Sequence, residues 1–216
     1  MIKKSKSAHS PQSIINAYQD YLNEHGKAPE SVAKFCKSLK ITERTFFQSF
    51  STLEAVESHL WGNMIGAVIQ SVESGKEYAN FNAEQRLLVF GFAFLEKSLD
   101  YRSTMLLRFK KISPFGGSCS LDTFSDHFKD FAQRIVDHGK KTGEIANRGK
   151  LLPLYKEGLY LVFRGLIEFN LRDKSSGFER SDAYWEKSVK FCFDLMKSQA
   201  IDSAFDLAKF LIPQKA

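Results

Sequence analysis

The stretch ITERTFFQSF, residues 41–50, decides how the whole sequence is interpreted. It sets three phenylalanines among polar and charged side chains within ten residues. A helix lying wholly in a core would not carry Arg44 and Gln48, and a wholly exposed helix would not carry so many aromatic rings. The segment is therefore expected to pack one face against the protein and to expose the other.

Helical signals lie just before and within this stretch. Apolar side chains between residues 32 and 39 recur at helical spacing and predict a short helix. Thr42 can cap a second helix, because its hydroxyl can accept a hydrogen bond from a free backbone N–H group. Two short helices joined by a tight turn, near a basic N-terminus, are typical of a helix-turn-helix whose second helix enters the DNA major groove.

The side chains of residues 41–50 suit such a recognition helix. Phe46 and Phe50 are four residues apart and can face inward together. The side chains that then face outward are Arg44, Thr45, Gln48 and Ser49. Arginine and glutamine are well suited to the hydrogen-bonding edges of purines, so these positions are candidates for reading DNA bases.

Composition and charge are consistent with a folded, DNA-binding protein, but they do not by themselves indicate one. The chain has 216 residues, of which 43% are hydrophobic, and a net charge of +6. Its length suits one ordinary domain or a small domain joined to a larger one. Residues 1–50 hold eight basic and four acidic side chains, so this quarter of the chain carries most of the positive excess. Whole-chain charge alone is weak evidence for a polyanionic partner.

Several classes of protein find no support in the sequence. Its three cysteines lie far apart and predict no disulfide framework. No apolar run predicts a signal peptide or membrane helix, so we expect a cytoplasmic protein without a membrane partner. The patterns SVAK at 31–34 and KTG at 141–143 are short enough to arise by chance. His127 and His138 are about 16 Å apart along one helix, too far to share a metal. We expect no catalytic residues, no metal and no cofactor.

Helical periodicity runs through the entire chain and strand signals are poor, so the predicted fold is all-α. About nine helices are expected. Their ranges are 11–25 ending at Gly26, 32–39, a third helix begun by Thr42, 51–72, 83–109 with a break near Asp100, a helix from 124 that is closed by the stretch 139–149, 154–171, 181–196 and 201–211. Residues 113–120, SPFGGSCS, are expected to form a loop.

Residues 14–56 resemble the N-terminal DNA-binding domain of TetR-family regulators. The positions that carry the resemblance, without a gap, are Gly26, Val32, Phe35, Cys36, Leu39, Ile41, Thr42, Thr45, Phe46, Phe50, Thr52 and Glu54. Gly143-Glu144-Ile145 resembles a common feature of the family's regulatory domain. The resemblance implies a three-helix helix-turn-helix domain, residues 1–52, and a larger α-helical ligand-binding and dimerisation domain, residues 53–216.

Three residues depart from the family pattern. Lys40 stands where the family has a turn glycine, Phe47 where a tyrosine hydroxyl meets a phosphate, and Leu53 where a lysine does. A residue other than glycine is uncommon at positive φ, so the turn is a point to check in the structure. Lys34, Lys37 and Lys40 are candidates to replace the two missing phosphate contacts.

The function that follows is a ligand-responsive, homodimeric repressor that binds a double-stranded DNA operator and a small apolar or aromatic ligand. The predicted DNA-binding residues are Lys37, Lys40, Thr42, Arg44, Thr45, Gln48 and Ser49. The predicted ligand-binding residues are Phe94, Met105, Phe109, Phe128, Phe131, Tyr160 and Phe163. The predicted dimer interface contains Gly158, Gly165, Trp185, Val189, Cys192 and Met196.

Two alternatives stay open at this point. A TetR-like dimer that has lost DNA binding would serve as a small-molecule or protein binding module. An α-helical enzyme would need a catalytic triad or metal site that the sequence does not indicate. For each aromatic residue proposed to line a ligand pocket, ordinary core packing is the simpler interpretation.

Overall fold

The computed structural model describes residues 10–109, 122–149 and 152–199, together with 202, 203 and 207. Among these residues the regular secondary structure is helical and no strand is present, which confirms the all-α prediction. The helices are α1 (Pro11–His25), α2 (Val32–Leu39), α3 (Glu43–Phe47), α4 (Leu53–Glu73), α5 (Ala83–Arg108), α6 (Asp122–Thr142), α7 (Leu152–Arg172) and α8 (Glu179–Lys197).

The first two helices begin and end where local sequence chemistry places their caps. Ser10 caps α1 by accepting a hydrogen bond from the backbone N–H of Ser13, and Pro11 follows at the first helical position. Gly26 ends α1 in the left-handed conformation, at φ 66°. Ser31 caps α2 in the same manner as Ser10. The predicted extents of both helices are confirmed.

Two predicted helix boundaries were wrong and one was confirmed. The end of α6 at Thr142 lies within residues 139–149, where it was predicted. The break expected near Asp100 is absent, because α5 continues to Arg108. Ser181 does not open α8. It is the third residue of that helix, and its backbone N–H and its hydroxyl both donate hydrogen bonds to the Asp173 carboxylate.

Two predicted elements lie in parts of the chain outside the residues that the structure describes. The loop expected at residues 113–120 lies outside the described residues. The last predicted helix, 201–211, lies almost entirely outside them as well.

The described residues divide into two compact units. The first lies within residues 1–68 and 97–127, and the second within residues 69–96 and 128–216. The first unit contains the predicted DNA-binding helices together with parts of α4, α5 and α6. The functional boundary at residue 52 remains a prediction.

Each unit has its own aromatic core. In the first, buried residues of α1 pack with Phe35, Phe46 and Phe50. In the second, the rings that meet are Phe90, Phe94, Phe128, Phe131, Phe163 and Trp185. Burial of large aromatic side chains supplies much of the driving force for folding in both units.

The segment Gly143-Glu144-Ile145 closes α6 and meets the start of α5. The Glu144 carboxylate accepts a hydrogen bond of 2.9 Å from the backbone N–H of Ala83, so it caps α5 from a distant part of the chain. Ile145 is buried, and its backbone N–H donates to the carbonyl of Gly139. A Cβ atom on Gly139 would lie 2.8 Å from the Ile145 side chain, which explains why a glycine occupies this position.

Candidate functional site

The turn between α2 and α3 is built around Lys40. This residue ends α2 in the left-handed conformation, with φ 55° and ψ 37°. The backbone N–H of Ile41 donates to the carbonyl of Cys36 at 3.0 Å, and that of Lys40 donates to Lys37, so the helix is closed as it would be by a glycine. A lysine here adopts a conformation that costs about 1–2 kcal/mol relative to the right-handed one. The turn expected from the TetR pattern therefore forms despite the missing glycine.

Thr42 fixes the start of the predicted recognition helix. Its hydroxyl accepts a hydrogen bond of 3.1 Å from the backbone N–H of Thr45, as the sequence predicted. The two threonine hydroxyls also lie 2.9 Å apart and share a hydrogen bond. Both hydroxyls therefore stabilise α3 itself, and any contact they make with DNA would come in addition to this capping role.

The inward face of α3 is aromatic, as predicted. Phe46 is fully buried, with Phe35 at 6.4 Å and Phe50 at 6.1 Å between ring centroids. Phe35 comes from α2, so these rings hold the two helices of the motif together. This packing explains why phenylalanines and polar residues alternate so closely in residues 41–50.

The outward face of the motif carries polar and basic side chains. Arg44 and Gln48 are exposed, and so is Phe47, with 54% of its surface accessible. These three positions follow helical spacing of three and four residues, so they lie on one side of α3. Lys37 and Lys40 are exposed beside them at the end of α2 and in the turn. Thr45 and Ser49 are half-buried at the edge of this surface.

Lys34 is engaged within the protein. Its ammonium group forms an ion pair and hydrogen bond with Glu30, which also lies 3.6 Å from Lys27. The hydrogen bond with Glu30, and then its charge, raise the pKa of Lys34 above its usual value. Lys37 and Lys40 form no ion pair among the described residues, and their role in replacing the phosphate contacts that the family pattern has at Phe47 and at the half-buried Leu53 remains a prediction.

The predicted ligand-binding residues are divided between the two units. Phe94, Phe128, Phe131, Tyr160 and Phe163 belong to the second unit, whereas Met105 and Phe109 belong to the first. Within the second unit the rings pack closely, with Phe128 stacked on Phe163 at 4.4 Å between centroids. In the first unit, Phe109 lies 4.6 Å from the Trp61 ring. These contacts are those of an aromatic core in each unit, and the ligand-binding role of all seven residues remains a prediction.

Three of the predicted dimer-interface residues are corrected by the structure. Trp185, Val189 and Met196 are buried inside their own chain, so their side chains offer no surface to a partner. The apolar stripe of α8 that the sequence revealed packs inward. Periodicity shows which residues share a face but does not show whether that face meets the same chain or another one.

Other apolar residues of α7 and α8 are exposed or half-buried, and only two of them, Gly158 and Cys192, were among the predicted interface residues. Leu154, at 59% exposure, and Phe191, at 62%, are among the most exposed large hydrophobic side chains described. Gly158 and Leu161 follow Leu154 at helical spacing and are exposed, and the half-buried Cys192 is next to Phe191. Gly158 is open, with nothing within 4 Å of a Cβ atom there. We call the five residues Leu154, Gly158, Leu161, Phe191 and Cys192 the α7–α8 stripe.

Gly165 has a different role from Gly158. A Cβ atom at Gly165 would lie 2.5 Å from the hydroxyl oxygen of Tyr184, on α8 of the same chain. The Tyr184 ring in turn stacks on Phe169 at 4.7 Å between centroids. Gly165 therefore permits close approach of α7 and α8 within one protomer. The sequence had predicted that it permits close approach of helices from two protomers.

Two kinds of site are not found in the described part of the chain. There, no three His, Cys, Asp or Glu side chains group closely enough to hold a metal ion. Within residues 10–109, 122–149 and 152–199, no helix combines the length and hydropathy of a membrane-spanning segment.

Comparison with known protein families shows which family this chain belongs to. A model of the tetracyclin repressor-like C-terminal domain matches residues 86–211, more than half of the sequence. The chain belongs to the TetR family. The match covers the regulatory region, whereas the resemblance in residues 14–56 covers the helix-turn-helix, so the two lines of evidence come from different parts of the protein.

Solved structures with the same fold include several TetR-family members. A protein of Syntrophomonas wolfei assigned to the TetR-family transcriptional regulators has a TM-score of 0.65 at 16% identity, covering 88% of this chain and 96% of that one. A regulatory protein of the TetR family from Rhodococcus RHA1 has a TM-score of 0.54 at 13% identity, covering 89% and 98%. A Rhodococcus sp. RHA1 protein of unknown function has a TM-score of 0.59 at 14% identity, covering 90% and 100%.

These identities are low, so the structural matches establish the fold alone. None of the curated proteins compared matches the sequence.

Proposed function

We propose that this TetR-family protein is a cytoplasmic, ligand-responsive repressor that binds a DNA operator as a homodimer. In this proposal residues 1–52 bind DNA, and residues 53–216 bind a small molecule and form the dimer. No enzymatic step is involved.

The observation that carries the proposal is the exposed surface of the helix-turn-helix. Phe35, Phe46 and Phe50 face inward and fix α3 against α2, which leaves Arg44 and Gln48 exposed on a helix of a size that fits the major groove. Side chains that read base edges must be both exposed and held by a rigid support, and α3 meets both conditions.

Basic side chains beside α3 supply the phosphate contacts in this proposal. Lys37 and Lys40 are exposed at the end of α2 and in the turn, and no described acidic group pairs with either. Contacts to phosphates position a protein on DNA and make binding depend on salt, while base contacts give sequence preference. Lys37 and Lys40 therefore set affinity, and Arg44 and Gln48 set specificity.

A homodimer follows from the size of the recognition helix and from the α7–α8 stripe. One helix as short as α3 contacts few base pairs, and two-fold pairing doubles the site. The stripe places Leu154, Leu161 and Phe191 in solvent on adjacent antiparallel helices. A second copy of the same stripe would cover these side chains and form a bundle of four helices.

The ligand in this proposal is small and apolar or aromatic. Its site would lie against the ring cluster of the second unit, where Phe94, Phe128 and Phe163 are fully buried and Tyr160 is half-buried. A flat ligand can stack on such rings. It can regulate DNA binding only if it binds one arrangement of the dimer more tightly than the other.

A direct test is selection of genomic DNA fragments by the purified protein, followed by mobility-shift titration of the selected fragments. The proposal predicts that one sequence is enriched and that binding to it weakens as salt concentration increases. Addition of aromatic compounds to the complex then identifies ligands that release the DNA. Failure to enrich any fragment at low salt would contradict the proposal.

The second candidate is a TetR-family dimer that binds a small molecule or protein without binding DNA. The observation in its favour is that Phe47 is exposed without a hydroxyl and that Leu53 is half-buried and uncharged, at positions where the family pattern has phosphate contacts. Under this candidate, the selection experiment enriches nothing, while aromatic compounds still raise the melting temperature of the protein.

A further inference from the structure

Glu57 is a buried carboxylate in the second turn of α4, with 2% of its surface exposed. It accepts four hydrogen bonds. Arg108 donates two of them, at 2.8 Å from Nε and 2.7 Å from Nη2. Tyr18 donates one at 3.0 Å, and Trp61 donates one at 3.3 Å. A buried charge with this many donors joins the elements that carry them, because loss of any one donor leaves the carboxylate partly uncompensated.

The donors come from three helices of the first unit. Tyr18 lies in α1, Trp61 in α4 and Arg108 at the last position of α5. Burial, followed by the charge of Glu57, raises the pKa of the Tyr18 hydroxyl far above its ordinary value. The hydroxyl therefore stays protonated near neutral pH and remains a donor to Glu57.

Aromatic contacts continue from this cluster to the recognition helix. The Tyr18 ring meets Phe35 of α2 edge to face, at 5.7 Å between centroids. Phe35 meets Phe46 of α3 in the same geometry at 6.4 Å. All three rings are buried. An unbroken series of contacts therefore runs from the end of α5 through Glu57 to the helix that carries Arg44.

A second contact joins α5 directly to α1. The hydroxyl of Thr104, which is buried, donates a hydrogen bond of 2.7 Å to the side-chain oxygen of Asn23. Thr104 and Arg108 are four residues apart, so they lie on one face of α5. That face holds α1 at two points, directly at Asn23 and through Glu57 at Tyr18.

We propose that the last turns of α5 hold the helix-turn-helix in the orientation required for docking on DNA, and that Glu57 is the positioning residue of this connection. A ligand or partner that displaces the end of α5 then acts on α1 directly, and not only through the chain connection by way of α4. This inference rests on the proposed DNA-binding function, because it states how that site is regulated.

The test uses two variants that remove one contact each. Thr104→Val keeps the branched shape and removes the donor to Asn23. Arg108→Lys keeps the charge and removes the two-pronged contact with Glu57. The matched control is Arg134→Lys, because Arg134 also donates Nε and Nη2 hydrogen bonds to a glutamate, Glu73, but does so at an exposed site in the second unit.

Two measurements are made on each full-length variant. The first is hydrogen–deuterium exchange of backbone amides, followed in peptides from α1 and, as an internal reference, from α7. The second is affinity for the DNA fragment that the parent protein selects. Both variants are expected to speed exchange in α1 by roughly two- to tenfold, the effect of losing one net hydrogen bond, while exchange in α7 is unchanged. DNA affinity is expected to fall over a similar range.

Each outcome bears on the inference. Unchanged exchange in α1, or equal acceleration in α1 and α7, would overturn it, since the contacts would then have no positioning role or only a general stabilising one. Faster exchange in α1 with unchanged DNA affinity would also overturn it. If the parent protein binds no DNA, the proposed function fails, and the exchange data alone decide whether α5 positions α1. The control Arg134→Lys is expected to change neither measurement.

Discussion

A Cβ atom added to Gly91 would lie 1.9 Å from Nε1 of Trp185. The indole of Trp185 therefore rests on the backbone of α5, and its N–H donates a hydrogen bond of 3.1 Å to the carbonyl of Leu88. Trp185 is fully buried, so this contact anchors α8 on α5 within the second unit. Only glycine leaves enough space for it.

We predict that Gly91→Ala destabilises the protein by about 1–3 kcal/mol, because the indole must move and its hydrogen bond must weaken. The matched control is Gly66→Ala in α4, where the added methyl would make only ordinary contacts, 3.5 Å from Nδ1 and 3.7 Å from Cε1 of His127. That variant is expected to be more stable by about 0.5–1 kcal/mol, since alanine favours the helix. Urea unfolding followed by circular dichroism measures both effects. Equal stability changes in the two variants would contradict the packing described here.

Trp185 also illustrates what the sequence can and cannot predict. Helical periodicity identified α8 and three residues of its buried face, Trp185, Val189 and Met196, but it included the half-buried Cys192 in place of the buried Phe193. The structural partner of Trp185 lies 97 residues earlier in the chain, at Leu88, and no local pattern points to it. The face of α8 that carries Trp185 was therefore predicted to contact a second protomer, although it packs within its own chain.

Prediction was most complete where the relevant interactions are local. Gly26 and Thr42 act within a few residues of their own position, and both were placed correctly from the sequence. The inward direction of Phe46 and Phe50 followed from their spacing of four. The connection of Arg108 to Glu57 was not foreseen, because it joins residues 51 positions apart. The contacts of the proposed DNA surface are not tested by the fold and remain predictions.

Lys40 offers a substitution with opposite effects on stability and DNA binding. Lys40→Gly should stabilise the protein by up to about 1 kcal/mol, because glycine adopts the observed φ of 55° without strain. The same change removes a cation from the proposed interface. DNA affinity should therefore fall, and the salt dependence of binding should weaken by about 0.9 in logarithmic slope. Lys37→Ala, which removes a neighbouring charge in a regular helix, should lower affinity without raising the melting temperature.

If Lys40→Gly raised the melting temperature and left affinity and salt dependence unchanged, Lys40 would be only a turn residue. If it lowered the melting temperature, the left-handed turn itself would be in question.

The α7–α8 stripe gives a test of the dimer. Phe191→Glu places a charge in the centre of the proposed interface, where it would be desolvated, and should yield monomers while helicity is retained. Glu186→Lys, at an exposed position five residues before Phe191 and therefore on a different face of α8, is the control and should remain dimeric. Light scattering coupled to size-exclusion chromatography measures the mass of each. A dimeric Phe191→Glu protein with native helicity would place the interface elsewhere.

Acid stability should depend on Asp173. Burial raises the pKa of its carboxyl, but hydrogen bonds from Ser175 and Ser181 outweigh this effect and lower the pKa to about 2, below the ordinary value of 3.8. The ionised group therefore stabilises the folded state fully above about pH 4, and this stabilisation is lost as the pH falls from about 4 to 2.

The corresponding measurement is the free energy of unfolding between pH 6 and pH 2, for the parent and for Asp173→Asn. The asparagine variant cannot ionise at this position, so its stability should start lower and fall less over that range. Curves that stay parallel down to pH 2 would show that Asp173 does not carry the effect.

The central claim is that α3 reads DNA bases, and the measurement that tests it most directly is fluorescence anisotropy with a selected duplex and a scrambled duplex of equal length. The account predicts that the parent protein prefers the selected duplex by about a thousandfold or more at moderate salt. Arg44→Ala should weaken binding to the selected duplex by about 1–3 kcal/mol and leave binding to the scrambled one nearly unchanged. Equal binding of both duplexes by the parent, unaffected by Arg44→Ala at every salt concentration, would contradict the account.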